Sequence, residues 1–129
     1  MKWTSPLILI VDDELMIRSL LAEVLKDHQC MTFPSGLAAV EWLEQNPDAP
    51  VELVISDFDL PGGNGVKSCN KLRRLSPNIK IILMSGTSIE DVESLALENH
   101  YDNWARKPFS IKEMRRKVDE ALKSAHAHV

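Results

Sequence analysis

The sequence predicts an α/β fold: five βα units forming a three-layer sandwich, with helices on both faces of a parallel five-stranded sheet. Three observations carry that reading. Short apolar runs alternate with longer stretches of helical spacing along the chain. The first apolar run, residues 7–11, is continuous rather than alternating, as a strand covered on both faces requires. Clusters of Pro, Gly, Asn and Ser separate several of the units.

Each element follows from local pattern. Leu7–Val11 is the first strand. Glu14–Asp27 is the first helix, because Leu15, Ile17, Leu20, Leu21, Val24 and Leu25 recur at helical spacing. Cys30–Phe33 is a short second strand, and Pro34-Ser35-Gly36 turns the chain into a helix over Leu37–Gln45. Asn46-Pro47 ends that helix, since a residue before Pro disfavours the α region. Leu53–Ser56 is the third strand. Pro61-Gly62-Gly63-Asn64-Gly65 reads as a turn-rich loop, followed by a helix over Val66–Leu75. Ile79–Met84 is the fourth strand, Ser88–Glu98 the fourth helix and Asn103–Arg106 a weak fifth strand. Ser110 opens the last helix, with Glu113 completing a capping box and Phe109 and Met114 at staple positions.

Length and composition bound the function. A chain of 129 residues is the size of one domain, so residues 1–129 are expected to form one unit. No apolar run approaches the roughly 20 residues that cross a bilayer, and none forms a signal-peptide core. A cytoplasmic location is therefore expected. The net charge of −4 disfavours direct binding to nucleic acid or to an anionic membrane. The basic stretch Lys112–Lys117 reads as the solvated face of the last helix. Cys30 and Cys69 have no metal-ligand spacing and suggest no disulfide framework. His100, His126 and His128 have no partner ligands in sequence and read as exposed residues.

In an open parallel sheet, ligands sit beyond the strand C-termini, where the strand order reverses. The residues there carry the chemistry. The first strand ends in Asp12-Asp13, the third in Asp57, the fourth in Ser85 and the fifth in Lys107. Each alone has an ordinary explanation. Asp13 is placed to cap the helix beginning at Glu14. Asp57 and Asp59 flank Phe58 in a turn region, Ser85-Gly86 suits a turn, and Lys107-Pro108 suits a loop. Together they make a constellation. Three carboxylates in one cleft repel one another, and a hard divalent cation such as Mg²⁺ relieves this while accepting phosphate oxygens. Lys107 adds an ammonium and Ser85 a hydroxyl. These parts hold a phosphoryl group in transfer, and a carboxylate can serve as its acceptor.

With these residues in view, the sequence resembles the receiver domains of two-component response regulators. The matching segments are Ile-Leu-Ile-Val-Asp-Asp-Glu at 8–14, Asp-Phe-Asp-Leu-Pro-Gly-Gly-Asn-Gly at 57–65, Ile-Ile-Leu-Met-Ser-Gly at 81–86 and Lys-Pro-Phe at 107–109. The resemblance covers essentially the whole chain. It implies a flavodoxin-like sheet of order 2-1-3-4-5. It implies Asp57 as phosphoacceptor, Asp12 and Asp13 as Mg²⁺ ligands directly or through water, and the backbone carbonyl of Asp59 as a further ligand. Ser85 and Lys107 would hold the phosphoryl oxygens, Ser85 moving toward them on activation. Lys107-Pro108 would be cis. Trp104 stands where the family carries its switch aromatic, usually Tyr or Phe, and Ser85 where Thr is commoner. Asn99-His100-Tyr101 departs from the family's small, Gly-containing turn.

The resemblance also implies partners. The phosphoryl donor would be a phosphohistidine on a sensor histidine kinase or a histidine phosphotransfer protein. The output would be a protein contact made by the fourth helix, fifth strand and last helix, including Trp104 and the basic face with Arg115 and Arg116. Homodimerisation on phosphorylation is compatible with it. Such a domain catalyses its own phosphorylation and slow dephosphorylation, without a turnover substrate. A free-standing regulator and a piece of a hybrid sensor kinase fit equally. Two other readings compete. Asp57-Phe58-Asp59 is similar to the Asp-x-Asp motif of haloacid-dehalogenase-type phosphatases, but the acidic pair precedes it and no Asp pair follows Lys107. A degenerate receiver that only binds proteins would lack part of the set Asp12, Asp13, Asp57, Ser85 and Lys107.

Overall fold

The computed structural model describes residues 6–59, 64–86 and 103–126. The chain runs β1 (Leu7–Val11), α1 (Leu15–Val24), β2 (Gln29–Phe33), α2 (Gly36–Gln45), β3 (Val51–Asp57), α3 (Asn64–Leu75), β4 (Lys80–Ser85), β5 (Asn103–Arg106) and a C-terminal helix (Ile111–His126). All five strands are parallel and lie in the order β2-β1-β3-β4-β5, the expected one. The fourth expected helix, Ser88–Glu98, and the Asn99-His100-Tyr101 turn lie outside the described residues.

Strand alternation builds two cores. Leu7, Leu9, Val11, Val54, Ile81 and Leu83 face one side, against Ala39, Val40 and Leu43 of α2 and Cys69 and Leu72 of α3. Ile8, Ile10, Leu53, Ile55, Ile82 and Met84 face the other, against Leu21 and Val24 of α1 and Met114, Val118, Ala121 and Leu122 of the C-terminal helix. Each central strand is thus covered twice, which explains its unbroken apolar text. Full burial of a side chain such as Leu21 or Met114 stabilises by about 1.5–3 kcal/mol.

Six elements differ in their bounds from the sequence reading; β2 and α2 each begin one residue earlier, and the other four differ for a physical reason. Helix α1 stops at Val24, because Lys26 N donates to Glu23 O and His28 N to Leu25 O, tightening the last turn before β2. Strand β3 starts at Val51 and reaches Asp57; Leu7 N donates to Pro50 O beside it. Strand β4 includes Ser85, which pairs in register with Arg106 of β5. Helix α3 begins at Asn64, so Asn64 and Gly65 are helical rather than part of a loop. Gly65 is there for contact: a Cβ on it would lie 2.4 Å from Asp57 O and 2.9 Å from Phe58 O. Only glycine lets the helix start come so near the end of β3.

The caps are mixed. Ser35 Oγ accepts from Ala38 N at 3.1 Å, and Ser110 Oγ accepts from Glu113 N at 3.0 Å. At α1 the cap that Asp13 taken alone could make is absent. Glu14 occupies the cap position without a side-chain bond, and Asp12 Oδ1, not Asp13, accepts from Glu14 N at 2.8 Å. The basic stretch is also not uniformly solvated. Met114 is fully buried, and Lys117 lies largely inside, its Nζ donating to Trp104 O at 2.7 Å. Arg115 Nε donates to Val24 O, turning that side chain toward α1. No described helix is long and apolar enough to cross a membrane.

Candidate phosphoryl-transfer site

The strand order reverses between β1 and β3, so their C-terminal ends open the crevice that parallel sheets use for ligands. Asp12 and Asp13 follow β1 and Asp57 closes β3. One carboxylate oxygen from each of Asp12, Asp13 and Asp57 lies within 4.8 Å of the others. Asp12 is wholly buried and Asp57 nearly so, while Asp13 is exposed.

Backbone bonds hold the neighbouring ends in place. Asp12 N donates to Phe33 O, Phe58 N to Met84 O, and Lys107 N to Ser85 O. The last of these carries Lys107, beyond β5, back beside β4. Its Nζ reaches Asp12 Oδ2 at 2.9 Å and Asp57 Oδ2 at 3.3 Å. The Lys107-Pro108 bond is cis, as expected. Arg18 Nη1 donates to Asp12 O at 2.8 Å, so α1 also grips the end of β1.

Burial raises the Asp57 carboxyl above its ordinary value, against the opposing pull of the Asp59 backbone N–H and of Lys107; the Asp12 charge raises it further. For Lys107, burial works to lower the ammonium. The Asp12 hydrogen bond and the charges of Asp57 and Asp12 outweigh it, and the net shift is upward. One ammonium against three carboxylates leaves the cluster short of positive charge. An all-oxygen donor set with two buried members suits a hard cation such as Mg²⁺. Among the described residues no buried side-chain N or O lacks a hydrogen-bond partner, so the pocket is polar and internally satisfied.

The structure therefore gathers Asp12, Asp13, Asp57 and Lys107 around one point. Ser85 is wholly buried nearby, but its Oγ donates to Asp59 Oδ2 at 3.1 Å. Gly86 N donates to the same oxygen at 3.3 Å. Trp104 is half-buried, paired in register with Leu83 and packed against the α2–α3 core. Sequence reasoning notes the Asp59 side chain only as an added negative charge beside the site, and misses its bond to Ser85 as well as Gly65 and Arg18. Asp59 and Gly65 lay inside a recognised motif, and only their spacing from Asp57 signalled them. Arg18 gave no signal beyond its place on the first turn of α1.

Fold and site together define a phosphoacceptor-type signalling domain built on a doubly wound parallel sheet. The family model for the response regulator receiver domain matches residues 8–119, and the chain belongs to that family. It is 35% identical over 117 residues to a probable transcriptional regulatory protein of Picosynechococcus sp., covering 86% of this chain and 47% of that protein. It is 33% identical over 122 residues to sporulation initiation phosphotransferase F of Bacillus subtilis, covering 89% of this chain and 92% of that one. The signal receiver domain of an HD domain-containing protein from Pseudomonas fluorescens superposes with a TM-score of 0.84 at 23% identity, over 96% of this chain and 99% of the other. The chain thus spans about half the length of the first of these relatives, and nearly all of the second.

Proposed function

We propose that Asp57 is the phosphoacceptor of this two-component receiver, taking its phosphoryl group from a phosphohistidine on a sensor histidine kinase or histidine phosphotransfer protein. The observation that carries this is the single ammonium of Lys107 bridging Asp12 and Asp57 at the sheet's switch point. A carboxylate oxygen of Asp57 forms the new bond to phosphorus as the bond from phosphorus to the imidazole nitrogen breaks, its electron pair returning to the ring. Lys107 is within reach of charge that builds on the phosphoryl oxygens, and Ser85 supplies a hydroxyl donor. Asp12, Asp13 and Asp57, with the backbone carbonyl of Asp59, are the residues that would hold Mg²⁺. Bound there, it neutralises carboxylate and phosphoryl charge.

On this reading the domain acts on itself and has no turnover substrate. Its output is a protein contact that phosphorylation biases by shifting a two-state equilibrium at β5 and the C-terminal helix. Trp104 and Lys117 occupy that junction. Arg116, exposed and paired with Glu120, belongs to its outer face, whereas Arg115 belongs to the α1 side. The test is incubation with acetyl phosphate and Mg²⁺, read on Phos-tag gels. The shifted band should vanish in Asp57→Asn and in EDTA. A band retained by Asp57→Asn would move the acceptor elsewhere.

A further inference from the structure

A serine hydroxyl has one proton to donate. In this structure the Ser85 proton goes to a carboxylate two residues beyond Asp57: Ser85 Oγ to Asp59 Oδ2, 3.1 Å. The same carboxylate oxygen takes the Gly86 amide at 3.3 Å. Asp59 thereby ties the segment following β3 to the end of β4. A hydrogen bond to a charged acceptor is stronger than one to a neutral acceptor, so the tie is a real competitor.

We infer that Asp59 is a positioning residue that clasps Ser85 in the unphosphorylated state, so that phosphoryl capture requires Ser85 to exchange the Asp59 carboxylate for a phosphoryl oxygen. This rests on the reading of Asp57 as acceptor. Asp59 itself is exposed and can swing into solvent once released. The Gly86 amide is released in the same movement; among the described residues a Cβ at Gly86 would meet nothing within 4 Å. The clasp sets how readily the pocket accepts a phosphoryl group, without itself touching phosphorus.

The test is a double-mutant cycle on the full chain, using beryllofluoride with Mg²⁺ as the phosphoryl mimic and acetyl phosphate as donor. Asp59→Ala should raise apparent beryllofluoride affinity and phosphorylation rate on the order of tenfold, the loss of one charge-assisted bond from the resting state. In a Ser85→Ala background the same substitution should change either quantity by less than about twofold, because Asp59 then holds only the Gly86 amide and no longer competes for a Ser85 hydroxyl. An unchanged or slower wild-type response overturns the clasp. So does a gain that persists undiminished without the Ser85 hydroxyl, which would mark Asp59 as a simple repulsive charge. Either result, alongside Asp57-dependent phosphorylation, leaves the acceptor reading intact. A readout independent of that reading is amide exchange at Gly86, which should quicken in Asp59→Ala; unchanged exchange counts against the clasp.

Discussion

Lys107 Nζ sits 2.9 Å from Asp12 Oδ2, and Asp12 is wholly buried. The pair joins the loop after β5 to the end of β1 across the mouth of the sheet. Removing the ammonium leaves a buried carboxylate without its counter-charge. Lys107→Met should therefore cost about 2–4 kcal/mol of unfolding free energy in EDTA, between the values for exposed and fully buried pairs. A cation bound by the same carboxylates replaces part of the lost charge. Denaturant titration should show Mg²⁺ stabilising Lys107→Met more than it stabilises the parent. Equal stabilisation of the two would separate Lys107 from the metal-binding carboxylates.

Gly65 is expected to be intolerant of the smallest side chain. A Cβ 2.4 Å from Asp57 O forces the start of α3 away from β3 or tilts the Asp57 peptide. Gly65→Ala should cost about 1–3 kcal/mol, the range for overpacking a tight contact. It should also slow phosphorylation from acetyl phosphate beyond what the stability loss explains, because the displaced backbone carries the acceptor. A variant that melts earlier but reacts at the parental rate would confine Gly65 to packing.

The two thiols give the stability a pH signature. Burial pushes Cys30 up to about 11 and Cys69 up to about 12. Both groups then hold their protons in the folded chain over a window where the unfolded chain has lost them. The unfolded state binds fewer protons there, so stability falls as pH rises from about 9. The contribution is complete below the unfolded value and is lost as pH passes through the folded ones. Replacing both cysteines with Ala should flatten the alkaline limb of the stability curve. Native protein at neutral pH should react slowly with iodoacetamide and quickly once denatured; rapid native alkylation of Cys69 would contradict its burial.

Trp104 reports on the junction of β5 with the C-terminal helix, since its carbonyl oxygen is held by Lys117 and its ring packs beside the α2–α3 core. The chain has three Trp residues, so the measurement uses Trp3→Phe with Trp42→Phe. Beryllofluoride with Mg²⁺ should change Trp104 emission in that background. Unchanged emission at demonstrated saturation would break the proposed link between the pocket and this face.

The fold was legible because the strands are covered on both sides and therefore read as apolar blocks, while the helices carry period 3.6 on one face. Leu7–Val11 and Asn103–Arg106 match the structure residue for residue. The misreadings came where tertiary contact overrides local pattern. Asn64-Gly65 looks like turn text, yet Gly65 is a close-approach residue inside a helix. At the start of α1 it is Asp12, not Asp13, that binds the Glu14 amide, while Asp13 joins the carboxylate group as its constellation implied. Lys117 looks solvated within a basic run, yet it is drawn to a backbone carbonyl. The ionisable site residues were legible because Asp12, Asp13, Asp57 and Lys107 each stand at or just beyond the end of a strand segment. The Asp59–Ser85 bond was not, because it depends on how two strand ends fall beside each other, which one-dimensional spacing does not encode.

The most direct measurement is chemical trapping of the phosphorylated residue. Protein treated with acetyl phosphate and Mg²⁺ is reduced with borohydride, digested and mapped by mass spectrometry. The trapped modification should fall on Asp57 alone and be absent when Mg²⁺ is withheld. Modification at Asp12, Asp13 or Asp59, or equal labelling of an Asp57→Asn variant, would contradict the assignment.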